Sequence, residues 1–229
     1  IDHPTAGKNE IDLMKKGTIL ISFVYVLHYT DIAKKCAEKG IDLISMDMIP
    51  RTTLAQKMDV LSSQANIAGY KSVILAANEL GKIFPLMMTA AGTISPAKVV
   101  IMGAGVAGLQ ALGTAKRLGA VVEVSDIRTA VKEEVQSLGG RFIEVEGAED
   151  MQDAGGYAKE ASPEFLQKQK ATIFKHVTEA DIVITTALVP GKKAPILVSE
   201  EMVKHMRPGS VVLDMATEFG GNCEVSEKG

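Results

Sequence analysis

The chain has no tryptophan, and aromatic residues make up only 4% of its 229 positions. A core so poor in rings must be built from small and branched aliphatic side chains, as in an Ala- and Gly-rich α/β domain. Only two cysteines occur, Cys36 and Cys223, far apart and in no CxxC pair. They read as reduced thiols, buried or incidental, and exclude a disulfide framework. Neither sign of charge dominates: the net charge is −3 with no basic tract, which argues against nucleic acid as a partner. No run reaches the roughly 18 apolar residues of a membrane span. His3, His28, His176 and His205 lack metal-type spacing and read as surface or packing histidines. No Ser-His-Asp order or nucleophile elbow appears.

What is present converges on residues 98–128, KVVIMGAGVAGLQALGTAKRLGAVVEVSDIR. An apolar run from Val99 to Met102 meets the turn Gly103-Ala104-Gly105-Val106-Ala107-Gly108. Helical spacing follows to Leu118, then a second apolar run from Val121 to Val124 that ends in Ser125-Asp126. Strand, glycine turn, helix, strand and acid, with the acid about 20 residues past the turn, form the dinucleotide-binding fingerprint. Gly103 permits the sharp turn, Gly105 lets a pyrophosphate approach the backbone, and Gly108 lets helix and strand pack closely. The helix N-terminus offers free N–H groups and a positive dipole end to phosphates. Asp126 can accept from a ribose 2′-hydroxyl and would repel a 2′-phosphate, which favours NAD(H). Arg128 pulls the other way, because a nearby arginine accommodates that phosphate. Ile127, between them, and Thr186-Ala187-Leu188, after a later strand, are candidate contacts by position.

Alternating strands and helices predict a Rossmann-like, doubly wound parallel sheet, preceded by part of a second Rossmann-like domain. Residues 11–50 read as a helix stopped by Gly17, a strand from Thr18 to Val24, a helix capped by Asp31 and stopped by Gly40, and a strand from Ile41 to Met46. This βαβ unit has no glycine fingerprint. Residues 1–61 are therefore expected to be the C-terminal part of a first, incomplete α/β domain, and the chain a fragment. Residues 62–229 are expected to be the nucleotide-binding domain, entered by a helix over 62–83 with Ile67, Tyr70, Ile74, Ala77 and Leu80 on its apolar face. Residues 93–96 read as a turn. Beyond Asp126 the pattern predicts helix 129–138, strand 141–145, an acidic loop over 146–160, helix 163–178, strand 182–185, helix 199–206 and strand 210–214.

Three candidates carry a structural reading beside a functional one. Thr53-x-x-Gln56 matches a capping box. Alternatively, Arg51, Gln56, Asp59 and Ser62 line a polar patch at an interdomain cleft, where an amide could orient a nicotinamide or ribose. Tyr157 is either an exposed loop residue or the ring of a lid pivoting on glycines. Asp214 either ends a strand at a ligand-binding edge or caps the turn that follows.

The stretch Pro50-Arg51-x-x-x-x-Gln56-x-x-Asp59-x-Leu-Ser62-Ser63-x-x-Asn66-x-Ala-Gly69-Tyr70 resembles domain I, the NAD(H)-binding component, of proton-translocating NAD(P) transhydrogenase in the alanine dehydrogenase/transhydrogenase family. So do Met88-Thr-Ala-Ala-Gly92 leading to the glycine turn, Gly155-Gly-Tyr157, Thr185-Thr-Ala-Leu-x-Pro-Gly-Lys192, and Asp214 with Gly220-Gly-Asn222. The resemblance extends over nearly all of residues 10–225. Alanine dehydrogenases share the fold but not the Arg51–Gln56–Asp59–Ser62 pattern or the Tyr157 loop.

The resemblance implies that Gln56 orients the dihydronicotinamide, with Arg51, Asp59 and Ser62 beside it. It makes Asp126 the adenosine-ribose acceptor and Tyr157 the tip of a mobile loop. It further implies a homodimer docked on a separate NADP(H)-binding domain, above a proton-conducting membrane domain. That places it on the bacterial cytoplasmic or mitochondrial matrix face. The reaction the resemblance implies is direct hydride transfer between NADH and NADP⁺, which needs no general base and is catalysed by orientation. The alternatives are an oxidoreductase of the alanine dehydrogenase type and an NAD(H)-binding module without chemistry. The segment Val26 to Thr30 departs from the proline-containing loop usual in the family.

Overall fold

The computed structural model describes residues 2–3, 8–145 and 163–228. The chain divides into two units, residues 1–64 and 65–229.

In the first unit β1 (Asp2–His3) pairs antiparallel with β2 (Lys8–Asn9). Then come α1 (Glu10–Leu13), β3 (Ile19–Ser22), α2 (Thr30–Lys39) and β4 (Asp42–Ser45). β3 and β4 pair in parallel, Ile19 beside Asp42, with α2 as the crossover. Ile11, Cys36 and Ile41 form the buried core of this unit.

Two expected signals act differently. α1 closes at Met14, and Gly17 instead takes φ +82° in the turn before β3, donating to the carbonyl of Gly40. Asp31 lies inside the first turn of α2, whose N-cap is Tyr29, and no side chain caps this helix. Just after β3, Tyr25 is held at φ +52°. Its N–H and that of Val24 donate to Asp47 Oδ1 at 3.0 and 3.2 Å. Burial acts to raise the Asp47 pKa, but these bonds and the Ser45 hydroxyl outweigh it and hold the carboxyl below its ordinary range.

The boundary between the units falls within α3 (Val60–Glu79), which stops short of residue 83. The second unit continues with β5 (Met87–Thr89), β6 (Gly92–Ile94), β7 (Lys98–Met102), α4 (Val106–Arg117), β8 (Val121–Ser125), α5 (Lys132–Ser137) and β9 (Arg141–Phe142). Past the undescribed residues come α6 (Pro163–Thr178), β10 (Ile182–Thr185), α7 (Glu200–His205) and β11 (Val211–Asp214). β5 and β6 form an antiparallel hairpin where the sequence suggests only a turn. Both strands are exposed along their length, so no burial alternation marks them. β9 is shorter than the expected strand.

Five strands form one parallel sheet in the order β11-β10-β7-β8-β9. The chain builds outward from β7 to β9, then returns to the other side of β7 for β10 and β11. This reversal leaves a topological switch point between β7 and β10, the place where open α/β sheets bind ligands. Alternate residues of each strand serve opposite layers. Val99, Ile101, Val122, Val124, Ile182 and Ile184 pack with Val73, Ala111, Leu112 and Val135 from α3, α4 and α5. Val100, Met102 and Val183 pack with Ile173, Val177 and Met202 from α6 and α7. Both faces are covered, which explains the largely apolar strands, interrupted in β8 by the paired Glu123.

The buried face of α3 is Gly69, Ser72, Val73 and Ala76, while Ile67 and Tyr70 are exposed. Of the expected apolar face, Ala77 and Leu80 pack against the core, whereas Ile67 and Tyr70 do not. Small residues win because α3 lies very close to α4: a Cβ on Gly69 would stand 2.2 Å from the carbonyl oxygen of Ala107. Gly69→Ala should therefore destabilise the protein by about 1–2 kcal/mol in urea unfolding, although helix propensity alone favours alanine by about 1 kcal/mol. A net gain in stability would show that this contact is loose.

Candidate functional site

The glycine turn leaves the carboxyl end of β7 at the switch point. Gly103 has φ +109°, a conformation that side chains disfavour, and its N–H donates to the carbonyl of Ser125 at 2.8 Å. A Cβ on Gly108 would lie 1.8 Å from the Gly103 carbonyl oxygen, so glycine is required for α4 to rise this close to β7. Gly105 differs from both. Its φ is −79°, open to any residue, and among the described residues nothing lies within 4 Å of a Cβ placed on it. Neither the backbone nor the packing demands glycine there. The open space there has room for a pyrophosphate at the N-terminus of α4. No side chain caps α4, Ala104 is buried, and in the first turn Val106 is exposed and Ala107 partly exposed.

Asp126 follows β8, and its side chain is only 6% exposed. Oδ2 accepts from the Ala104 N–H at 2.7 Å, tying the second strand to the glycine turn. Oδ1 accepts from the N–H of Arg128 at 2.9 Å. The Arg128 guanidinium grips both oxygens, Nε to Oδ1 at 2.9 Å and Nη2 to Oδ2 at 2.7 Å. Ile127 lies half-buried between the two.

Thr186 follows β10 on the other side of the switch point. Its hydroxyl lies 3.1 Å from the Gly103 carbonyl, to which it donates, and 3.3 Å from that of Met102. Ala187 next to it is held by a residue that spacing alone did not single out. The fully buried Asn222 accepts from the Ala187 N–H at 2.9 Å and donates to its carbonyl at 2.9 Å and to that of Pro195 at 2.8 Å. The amide thus imitates a strand neighbour for one residue. Leu188 is exposed.

Asp214, at the end of β11, fixes Asn222 in turn. It accepts from the N–H groups of Asn222 and Cys223 at 2.7 and 2.9 Å, from that of Ala216 at 2.9 Å, and from the Thr185 hydroxyl at 2.9 Å. The capping alternative for Asp214 therefore describes it. Within the quoted motif, the only signal for Asn222 was its place after Gly220-Gly221.

Arg51, Gln56, Asp59 and Ser62 belong to the first unit. No capping box forms between Thr53 and Gln56. The Thr52 hydroxyl accepts from Ala55 N–H at 3.3 Å, and Gln56 opens a 3₁₀ turn over Gln56–Met58. Gln56 is exposed, and its amide has no hydrogen-bond partner among the described residues. Asp59 does the capping, accepting from the Ser62 N–H at 2.9 Å and hydroxyl at 2.6 Å. Burial works to raise the Asp59 pKa, but Ser62 and the Arg51 charge lower it further, so the carboxyl stays ionised. Asp59 and Ser62 are thus a bonded pair with Arg51 within electrostatic reach. Tyr157 lies outside the described residues.

His176 is more than a packing residue: Nδ1 lies 2.7 Å from Glu123 Oε2, which also pairs with Lys98 Nζ at 3.1 Å. Among the described residues no group of His, Cys, Asp or Glu is arranged to hold a metal ion, and no helix is long and apolar enough to cross a membrane.

Residues 72–229 match the family model described as alanine dehydrogenase/PNT, C-terminal domain, and residues 1–68 match that of the N-terminal domain. The chain is 49% identical over 219 residues to the NAD(P) transhydrogenase subunit alpha of Cereibacter sphaeroides, covering 95% of this chain and 42% of that protein. It is 30% identical to an alanine dehydrogenase of Methanococcus maripaludis, covering 96% of this chain and 54% of the relative. A crystal structure of transhydrogenase from Sinorhizobium meliloti superposes with a TM-score of 0.86 at 47% identity, over 99% of this chain and 60% of that one. The chain thus spans about half the length of these relatives.

The Asp214 site yields a prediction about acid. Burial acts to raise its pKa, but bonds from Cys223, Ala216, Ser226 and Thr185 more than offset this and lower it. A carboxyl with a depressed folded pKa contributes stability above its unfolded pKa and loses it as pH falls through the folded value. The thermal midpoint should therefore fall as pH drops below about 4, the ordinary carboxylate range. Asp214→Asn should be less stable at neutral pH by about 1–3 kcal/mol, with a shallower acid dependence. Parallel wild-type and variant acid curves would contradict this role.

Proposed function

Because the chain belongs to the alanine dehydrogenase/PNT family, we propose that it is the NAD(H)-binding component of a proton-translocating NAD(P) transhydrogenase. The observation that carries this reading is Gly105, a glycine that its own backbone and packing do not require, in a turn at the switch point of a parallel sheet. Identity divides the relatives in the same direction. Those named transhydrogenase alpha subunits are 46–51% identical, those named alanine dehydrogenase 28–30%.

In this reading residues 62–229 form the nucleotide-binding domain. The turn Gly103-Ala104-Gly105-Val106-Ala107-Gly108 cradles the pyrophosphate on the α4 N-terminus. Asp126 receives the adenosine ribose, Ile127 and Arg128 lie at the rim of that position, and Thr186-Ala187-Leu188 lines the same edge. Gln56 orients the nicotinamide, and Arg51, Asp59 and Ser62 hold that end of the cofactor. Tyr157 closes over it. A bound nicotinamide supplies hydride chemistry, and the protein supplies geometry. The unpartnered Gln56 amide suits an orienting contact, and the ionised Asp59, locked by Ser62, keeps a fixed charge beside it. The acceptor NADP⁺ sits on a partner domain, the assembly is a homodimer, and a separate membrane domain conducts protons.

The direct test mixes this chain with an isolated NADP(H)-binding domain and follows hydride transfer from NADPH to an NAD⁺ analogue. Transfer supports the proposal. NADH oxidation by pyruvate and ammonia, without any added NADP(H) domain, would instead identify an alanine-dehydrogenase-like enzyme. Nucleotide binding with neither reaction would identify a module without chemistry. Gln56→Asn should slow hydride transfer by at least about tenfold, a barrier change of roughly 1.4 kcal/mol, while NADH affinity stays within about threefold. Equal losses in rate and affinity would reduce Gln56 to general binding.

A further inference from the structure

The carboxylate of Asp126 has about four acceptor positions, and in this structure four donors occupy them. Two are backbone N–H groups, of Ala104 and Arg128, at 2.7 and 2.9 Å. Both survive any side-chain substitution at residue 128. The other two are Nε and Nη2 of Arg128, at 2.9 and 2.7 Å, arranged as a bidentate fork. A ribose presents two neighbouring hydroxyls to a carboxylate in much the same pattern. The fork and the diol therefore need the same two acceptor positions, and cannot hold them together.

We infer that Arg128 is a specificity-determining residue that imitates the ribose diol, so that nucleotide binding exchanges the guanidinium for the 2′- and 3′-hydroxyls. This rests on the nucleotide reading given above. Two consequences follow from the chemistry of the pair. The fork competes with NADH, because its charge-assisted bonds must be released before the neutral hydroxyl bonds form. The released guanidinium remains tethered at the rim of the ribose position, where it attracts a 2′-phosphate and offsets the repulsion from Asp126. Arg128 thus narrows the preference for NADH over NADPH from both sides. It is held on Asp126 as a lock on the ribose position rather than as a standing phosphate site.

The test is equilibrium titration of the full chain with NADH and with NADPH, for wild type, Arg128→Ala and Arg128→Lys, with thermal midpoints recorded alongside. Arg128→Ala should bind NADH about five- to tenfold more tightly and NADPH more weakly, so that the ratio of the two dissociation constants rises by more than about tenfold. Arg128→Lys, which keeps the charge but loses the fork, should tighten NADH binding while retaining NADPH binding. Weaker NADH binding by both variants, at unchanged thermal midpoint, would show that Arg128 holds the nucleotide itself and overturn the inference. So would an unchanged ratio in Arg128→Ala when the wild type binds NADH. A wild-type chain that binds neither nucleotide overturns the nucleotide reading, and this inference with it.

Discussion

The second unit depends on how closely three backbone segments approach the turn at residues 103–108. A Cβ on Gly108 would collide with the end of β7, one on Gly103 with the Thr186 hydroxyl at 2.6 Å, and one on Gly69 with Ala107. Helix α4 is thereby fixed against a strand, a loop and a second helix, with the Thr186 hydroxyl the one side-chain group among these three contacts. Close packing of this kind transmits position with little slack, because interiors have few voids to absorb a shift. The N–H groups at the start of α4 acquire a defined direction at the carboxyl edge of the sheet. That direction is what an anion needs from a helix terminus.

The two edges of the parallel sheet are built from different materials. At the amino-terminal edge, side chains pair with one another. Lys82 meets Asp181 at 2.8 Å, the Lys98 N–H donates to the same carboxylate, and Glu123 sits between Lys98 and His176. Burial alone would raise the Glu123 pKa, and the His176 and Lys98 bonds reverse that. At the carboxyl edge the carboxylates hold loop backbone as well as side chains. Asp126 grips the glycine turn, and Asp214 grips the Gly220-Gly221-Asn222 segment, which grips Ala187. Charges that bind main chain set the shape of loops, and such loops are where α/β folds carry function. The transhydrogenase proposal uses this edge as its adenosine end.

Legibility in the sequence followed the physics of each element. The strands β7, β8, β10 and β11 were readable because burial on both faces leaves largely apolar runs, and their glycine and proline punctuation is sharp. The β5–β6 hairpin was not, since three-residue strands exposed on both faces carry no period. The packing face of α3 was partly misread because hydrophobic size is a poor guide where helices approach on glycine. The bulky Ile67 and Tyr70 lie outside the contact that Gly69 and Ala76 make. In the site, Gly103, Gly108 and Asp126 were legible through spacing. The Asp126–Arg128 fork was not, because sequence places the two residues near each other without saying which one the other binds. Asn222 acts through a contact between residues far apart in the chain, which no local pattern announces.

The central claim is that the glycine turn is shaped by a ligand as well as by the fold, and Gly105 separates the two. Gly105→Ala introduces one methyl group at a position with an ordinary φ and open surroundings. The decisive measurement is NADH affinity and urea stability of this one variant. The account predicts stability within about 0.5 kcal/mol of wild type and NADH binding weakened by at least about tenfold. Unchanged NADH affinity, or a loss of stability as large as the loss of binding, would contradict it.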